Sequence, residues 1–264
     1  MSNYKLRKDL SITIYDRTLF RIEATKDIFI HNVSKGDLGG YVESENNLSG
    51  NAWVYGDARV SGDARVYGNA RVSGDARVSG DARVSGDAWV SGDAEVYGDA
   101  RVSGNARVSG DAWVSGDAEV YGDAEVYGDA WVSGDAWVSG DAEVYGDARV
   151  YGDAEVYGDA RVYGNARVSG NARVYGDAWV SGDKIKNNKD FYNICCNETY
   201  NITLTTNFIK IGCQFHKKEE WFNFTDREIE AMDGLKAIHF WKKWKPILMA
   251  ICECKEKETQ DGER

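Results

Sequence analysis

The chain of 264 residues has one proline, Pro246, and three histidines, His31, His216 and His239. Its five cysteines, at 195, 196, 213, 252 and 254, are odd in number and lie in the C-terminal part. That set fits reduced thiols and not a disulfide framework. The sequons at Asn197, Asn201 and Asn223 are then expected to be silent. No run approaches the roughly 18 apolar residues of a membrane helix, and MSNYKLRKDL lacks the apolar segment of a secretory leader. The expected location is the cytoplasm, away from membranes. Residues 49–183 contain no histidine, lysine, threonine, cysteine or proline. The missing histidine excludes a histidine general base there, and the missing threonine excludes the flat threonine columns of ice binding.

What is present instead is glycine: 29 residues, of which 23 recur every six positions from Gly50 to Gly182. The hexad reads Val, Ser or Tyr, Gly, Asp or Asn, Ala, then Arg, Trp or Glu, and Val54 to Val180 carries 22 copies. Alternation places Ala and Val on one side of a short strand. The residue before each Val, position x, and the residue after it, position y, point the other way. Glycine permits a tight corner, and Asp or Asn is expected to bond amides of its own turn. A fixed short period of this kind specifies a solenoid.

A small residue two before an aliphatic one, every six, resembles the left-handed parallel β-helix of hexapeptide-repeat proteins. The resemblance implies triangular coils of 18 residues. Val42 and Leu48 extend the phase to about eight coils, a prism about 38 Å long at the usual strand spacing. The expected fold is mainly β, a left-handed parallel β-helix with an N-terminal β-hairpin cap and a small α+β C-terminal cap. Its divisions are 1–41, 42–183 and 184–264. The hairpin is read in SITIYDRTLFRIEA, Ser11 to Ala24, turning near Asp16. A second hairpin is read in Tyr200 to Cys213. Two helices follow: Thr225 or Asp226 caps the first, and the second runs from Asp233 to Cys254, interrupted at Pro246. The aromatic side of AIHFWKKWKPILMAI is expected to pack on the cap, with a membrane surface as the competing reading.

A narrower resemblance lies in KGDLGGYVESENNLSGNAWVYGDARV, Lys35 to Val60, which is similar to the opening segment of phage and prophage hexapeptide-repeat proteins. IGCQFHKKEEW, Ile211 to Trp221, is similar to their tail region. This resemblance implies origin and fold and carries no activity. Many hexapeptide-repeat proteins are acyltransferases with a histidine in the coils, and this array has none, so no catalytic residue can be carried over. No enzyme activity and no cofactor are expected. Cys213 with His216, and Cys195, Cys252 or Cys254, lack the usual Cys-x-x-Cys spacing of a zinc site, so free, buried cysteines are the expectation and no metal is assigned.

The array holds 11 Arg against 23 Asp and Glu, a net −12 in a chain of net −11. Direct nucleic-acid binding is therefore not expected. The variable positions vary among Arg, Trp and Tyr, residues suited to interfaces. The leading expectation is a non-enzymatic interaction protein with a protein partner, and the phage resemblance extends this to a host protein such as a defence component. The alternatives are self-association into a homo-oligomer through the same faces and mimicry of nucleic acid by the acidic corners. Steps of 18 stack Arg65, Arg83 and Arg101 on one face, Trp113 and Trp131 on a second, and Tyr127, Tyr145 and Tyr163 on a third. These eight are the candidate contact residues, and one flat partner cannot cover all three groups. Every Glu at x precedes Val-Tyr, and five of the six Trp precede Val-Ser. That bias is read as crowding between x and y, with duplicated cassettes as the alternative.

Overall fold

The structure, a computed structural model, describes residues 2–14, 16–194 and 199–262, with side chains only as far as 253. It divides into two compact units, Met1–Tyr192 and Asn193–Arg264.

The first unit is a β-solenoid of about eight stacked turns. Its three parallel sheets follow from the hexad. In each Ala-x-Val the x residue and Val make one short strand and pair with those 18 positions on, as in Trp89↔Arg107 and Val90↔Val108. The Ala and Val side chains of the array are fully buried and form one continuous core. Coils are joined by backbone ladders in which the amides of x, y and the corner residue donate one coil on. Trp89 donates to Ala106 at 2.9 Å, Ser91 to Val108 at 2.9 Å and Asp93 to Gly110 at 3.0 Å.

At several corners the backbone amide is bonded to the next coil, as at Asn69, Asp87 and Asp123. The side-chain amides of Asn51, Asn69 and Asn105 donate to Asn69, Asp87 and Asp123 at 3.2, 3.0 and 2.8 Å, each one coil on and not within their own turn. Asp183 does bond locally, accepting from Lys184 N at 3.1 Å.

At the N-terminal end, β1 (Tyr4–Ile14) and β2 (Arg17–Ala24) form an antiparallel hairpin. β2 pairs antiparallel with β3 (Leu38–Val42), and β3 pairs in parallel with the solenoid strand Arg59–Val60. The expected hairpin is present, but β1 begins seven residues before Ser11 and crosses an irregularity between Arg7 and Ser11. Pairing covers the first coil's open edge, which would otherwise present free backbone. Residues 28–33 complete the cap. Ile28 and Val33 share the core with Trp53, which is buried at 1% exposure although it occupies an outward x position.

His31 lies buried in this cap, edge-on to Tyr55, and among the described residues neither ring nitrogen meets a hydrogen-bond partner in good geometry. Burial, with a smaller contribution from the Arg71 charge, lowers its pKa. A depressed folded pKa means that the unfolded chain takes up this proton first as pH falls. The stability contributed is therefore full above the unfolded value of about 6.5 and is lost as pH falls through the folded value. The wild type is expected to lose thermal stability between pH 7.5 and 5.5, and His31→Leu to lose less. Equal losses measured by circular dichroism would show that His31 does not titrate in this range.

The other end of the solenoid closes on residues 184–191. Ile185 pairs with Val168, Asn188 Oδ1 accepts from Arg173 N at 2.9 Å, and Phe191 is buried against Tyr175. Closure is thus achieved inside the first unit, by the segment expected to belong to the C-terminal division.

The second unit has its own core. Strands Ile202–Leu204, Phe208–Ile211 and Gln214–Lys217 form an antiparallel meander, of which the first two are the expected hairpin. A short helix α1 (Lys218–Asn223) follows, and then α2 (Asp226–Gly262). Thr225 caps α2 reciprocally with Glu228, whose Oε2 accepts from Thr225 N at 2.8 Å. The helix breaks at Asp233 and Gly234, where the sequence places the start of its second part, and it continues through Pro246 without interruption. A proline removes one donor from a helix interior, and the packing of the flanking turns holds the rest. Phe240, Trp241 and Leu248 are buried with Ile202, Leu204 and Ile209, so the aromatic side packs on the meander. Among the described residues no helix is long and apolar enough to cross a membrane.

Candidate interaction surface of the solenoid

The three outer faces carry the sequence's candidate residues in the predicted columns. Arg65, Arg83, Arg101, Glu119, Trp137, Glu155 and Arg173 are consecutive partners in one sheet, here the arginine face. Trp113 and Trp131 are neighbours in a second, the tryptophan face, and Tyr127 and Tyr145 pair in the third, with Tyr163 one coil further on.

The aromatic columns are occupied with each other. Trp113 and Trp131 stack at 4.8 Å between ring centroids and 5° between planes. Tyr127, Tyr145 and Tyr163 stack in series at 4.9 and 5.2 Å. Such pairs contribute about 0.5–1.5 kcal/mol each beyond their burial. The Tyr127 hydroxyl donates to Glu143 at 3.2 Å, and burial with the Glu143 charge pushes its pKa up to about 12. It is a fixed neutral donor at ordinary pH.

The x and y residues also touch between coils. Tyr97 meets Trp113, Tyr121 meets Trp137 and Tyr163 meets Trp179, all edge-on at 6.1, 6.3 and 6.4 Å. In each case y contacts the x residue of the following coil. Trp89 Nε1 donating to Ser73 Oγ at 2.9 Å follows the same diagonal. These contacts join different hexads, in addition to the crowding expected inside one.

Charge is also matched across coils. Each of the five Glu at x pairs with an Arg one coil away: Arg77–Glu95, Arg101–Glu119, Arg107–Glu125, Arg161–Glu143 and Arg173–Glu155, at 2.7–3.2 Å. Exposed pairs of this kind contribute about 0.2–1 kcal/mol each. Arg149 and Arg161 also lie over the rings of Trp131 and Trp179 at 5.0 and 5.4 Å.

Two cationic runs remain. Arg65 and Arg83 are in register on adjacent coils with no carboxylate partner among the described residues. On the tryptophan face, Arg149, Arg167 and Lys184 follow one another in register. Steps of 18 place Arg167 on Arg149 but miss Lys184, because the last coil is one residue short and pairs Val168 with Ile185. The arginine face also exposes Tyr67, Trp137, Tyr157 and Tyr175, with Trp137 at 47% the most exposed tryptophan of the array.

At the corners, Asp159 stands in one column with Asp141 and Asp177. Desolvation and these two neighbours hold its carboxyl above the usual range. Among the described residues no three His, Cys, Asp or Glu side chains are placed to hold a metal. Cys213 is exposed and Cys252 half-buried, which corrects the expectation of buried thiols for Cys213. It sits with Gly212 in the turn between the strands Phe208–Ile211 and Gln214–Lys217. Cys195 and Cys196, and the side chain of Cys254, lie outside the described residues.

The fold and its surface define a β-solenoid protein. Residues 64–80, 76–92, 94–110, 100–116 and 166–182 match the family model described as YdcK beta solenoid repeat, all inside the solenoid. The chain is similar to that family over these segments, and no curated protein matches it.

Proposed function

We propose that the chain is a non-enzymatic interaction protein whose arginine face receives an acidic ridge on a protein partner. The observation that carries this reading is the unpaired register of Arg65 with Arg83 in an array where every Glu at x has its Arg. Two like charges directly opposed across strands destabilise a sheet. A partner carboxylate would relieve that repulsion on binding. The columns of Trp113 with Trp131 and of Tyr127, Tyr145 and Tyr163 serve the solenoid through their stacks. The resemblance of 35–60 and 211–221 to phage and prophage proteins supports a host protein as the partner, and blocking a host defence component is the narrowest form of this reading.

Arg101 already pairs with Glu119, so changing all three arginines would also remove an internal ion pair. The cleaner test is Arg65→Gln with Arg83→Gln, and Arg101→Gln separately. The double variant is expected to keep or raise the melting temperature. It should also lose partner recovery in affinity purification from the host, with wild-type recovery itself falling as salt is raised. Unchanged recovery with a lowered melting temperature would assign the column to the fold alone. Sedimentation at several concentrations distinguishes self-association, which would proceed without any partner.

A further inference from the structure

The second unit contains a cavity of about 320 Å³ between the meander and α2, within the size range of small-molecule sites. Trp221, Phe240 and Trp241 wall it, with Tyr200, Ile211 and Ile229. The Trp221 indole N–H is already donated to Ile209 O at 2.7 Å, so this residue offers the cavity ring surface and not its donor. Among the described residues one charged side chain borders the cavity, Asp233. It sits where α2 departs from helical geometry, at Asp233 and Gly234, the latter with φ of 66°. Broken geometry beside a cavity wall is a common mark of a ligand site.

Asp233 is held in place and in charge. The Tyr200 hydroxyl donates to its Oδ2, and Lys236 Nζ lies 3.1 Å from the same oxygen. These two contacts, Tyr200 first, keep its carboxyl below the usual range, while burial and the Asp233 contact raise the Tyr200 pKa to about 12. Tyr200 therefore remains a donor, and among the described residues both contacts fall on Oδ2, so Oδ1 can accept from another group.

We propose that this cavity binds a small organic amine, its apolar body between Trp221, Phe240 and Trp241 and its protonated nitrogen on Asp233. Aromatic faces attract a cation and an ionised carboxylate fixes it at the mouth, whereas an anion of the same size meets repulsion. The inference is independent of the partner reading, since it concerns other residues in another unit.

The test uses the full chain with 2-phenylethylamine, 2-phenylethanol and phenylacetate as probes, read by tryptophan fluorescence and by protection of Cys213, which borders the cavity, from alkylation. The amine is expected to saturate with affinity about tenfold above the alcohol, to protect Cys213, and to outcompete phenylacetate, which should not saturate. Asp233→Asn, whose amide oxygen still accepts from Tyr200, should bring the amine down to the alcohol's affinity and leave the alcohol unchanged. Lys236→Gln removes the competing cation and should raise amine affinity alone, which keeps the test decisive if Asp233→Asn fails to fold. Equal affinity of amine and alcohol, absence of saturation, or amine binding unaffected by both substitutions would overturn the proposal.

Discussion

Gly92→Ala is expected to destabilise the solenoid by about 3 kcal/mol or more, against about 1–2 kcal/mol for Gly56→Ala. Both glycines adopt left-handed backbone, with φ of 71° and 59°, so both substitutions carry the same conformational strain. They differ in what a Cβ would meet. At Gly92 it would lie 2.9 Å from Gly110 N and 3.0 Å from Gly110 O, whereas at Gly56 the nearest atom, Gly74 O, is 3.6 Å away. Backbone cannot rotate aside as a side chain does. Moving Gly110 would also disturb the carbonyl that accepts from Asp93 N. Denaturant unfolding of the two variants measures the difference, and equal effects would mean that strain alone fixes the corner. Two separate requirements, positive φ and contact between glycines of adjacent coils, explain why glycine at this position is unbroken through the array.

The strictness of the hexad explains how much of the surface could be read in advance. Three hexads to a coil set Arg65, Arg83 and Arg101 in one column, and nothing beyond the period was needed to place Trp113 on Trp131 or Tyr127 beneath Tyr145 and Tyr163. The departures are non-local. Burial of Trp53 depends on residues 28–33, whose fold over the first coil has no periodic signature. Alignment of Lys184 with Arg167 depends on a coil that is one residue short. The pairing of Arg101 with Glu119 was readable as adjacency, yet two side chains of either sign in a column do not say which neighbour an arginine takes.

In the second unit the caps were more legible than the packing. Thr225 and Glu228 sit three apart, a spacing that marks a helix start, and the Asp-Gly at 233–234 marks a break. Pro246 gave the opposite lesson. Local chemistry argued for an interruption, and the burial of Trp241 and Leu248 on either side of it outweighs the loss of one backbone donor. The cavity beside Asp233 is assembled from the meander, α1 and α2, so no short motif could have announced it.

Deleting Ser85–Val102, one whole coil, is expected to leave a folded solenoid shorter by about 4.8 Å, while deleting the nine residues Ser85–Asp93 should break it in two. The first deletion keeps every Ala and Val facing inward and sets Arg83 beside Glu119, in the place of Arg101, so one ion pair is re-formed as Arg77 loses Glu95. Its far-ultraviolet circular dichroism should keep the wild-type form, with the melting temperature within a few degrees. The second deletion joins Val84 to Ala94 and removes two corners with the strand between them. Arg83-Val84-Ala94-Glu95-Val96 would then have to run straight where the coil must turn, and the segments on either side would each expose an uncapped edge of backbone and valines. Aggregation or two separate melting transitions are expected. Deleting Ser85–Val90 lies between these cases: the hexad phase survives, but everything downstream turns by one face and Arg83 comes beside Arg107. That variant should fold, and a partner that spans the junction should release it. Loss of β-structure in the 18-residue deletion, or a single transition at the wild-type temperature in the nine-residue deletion, would refute three hexads as the unit that the core requires.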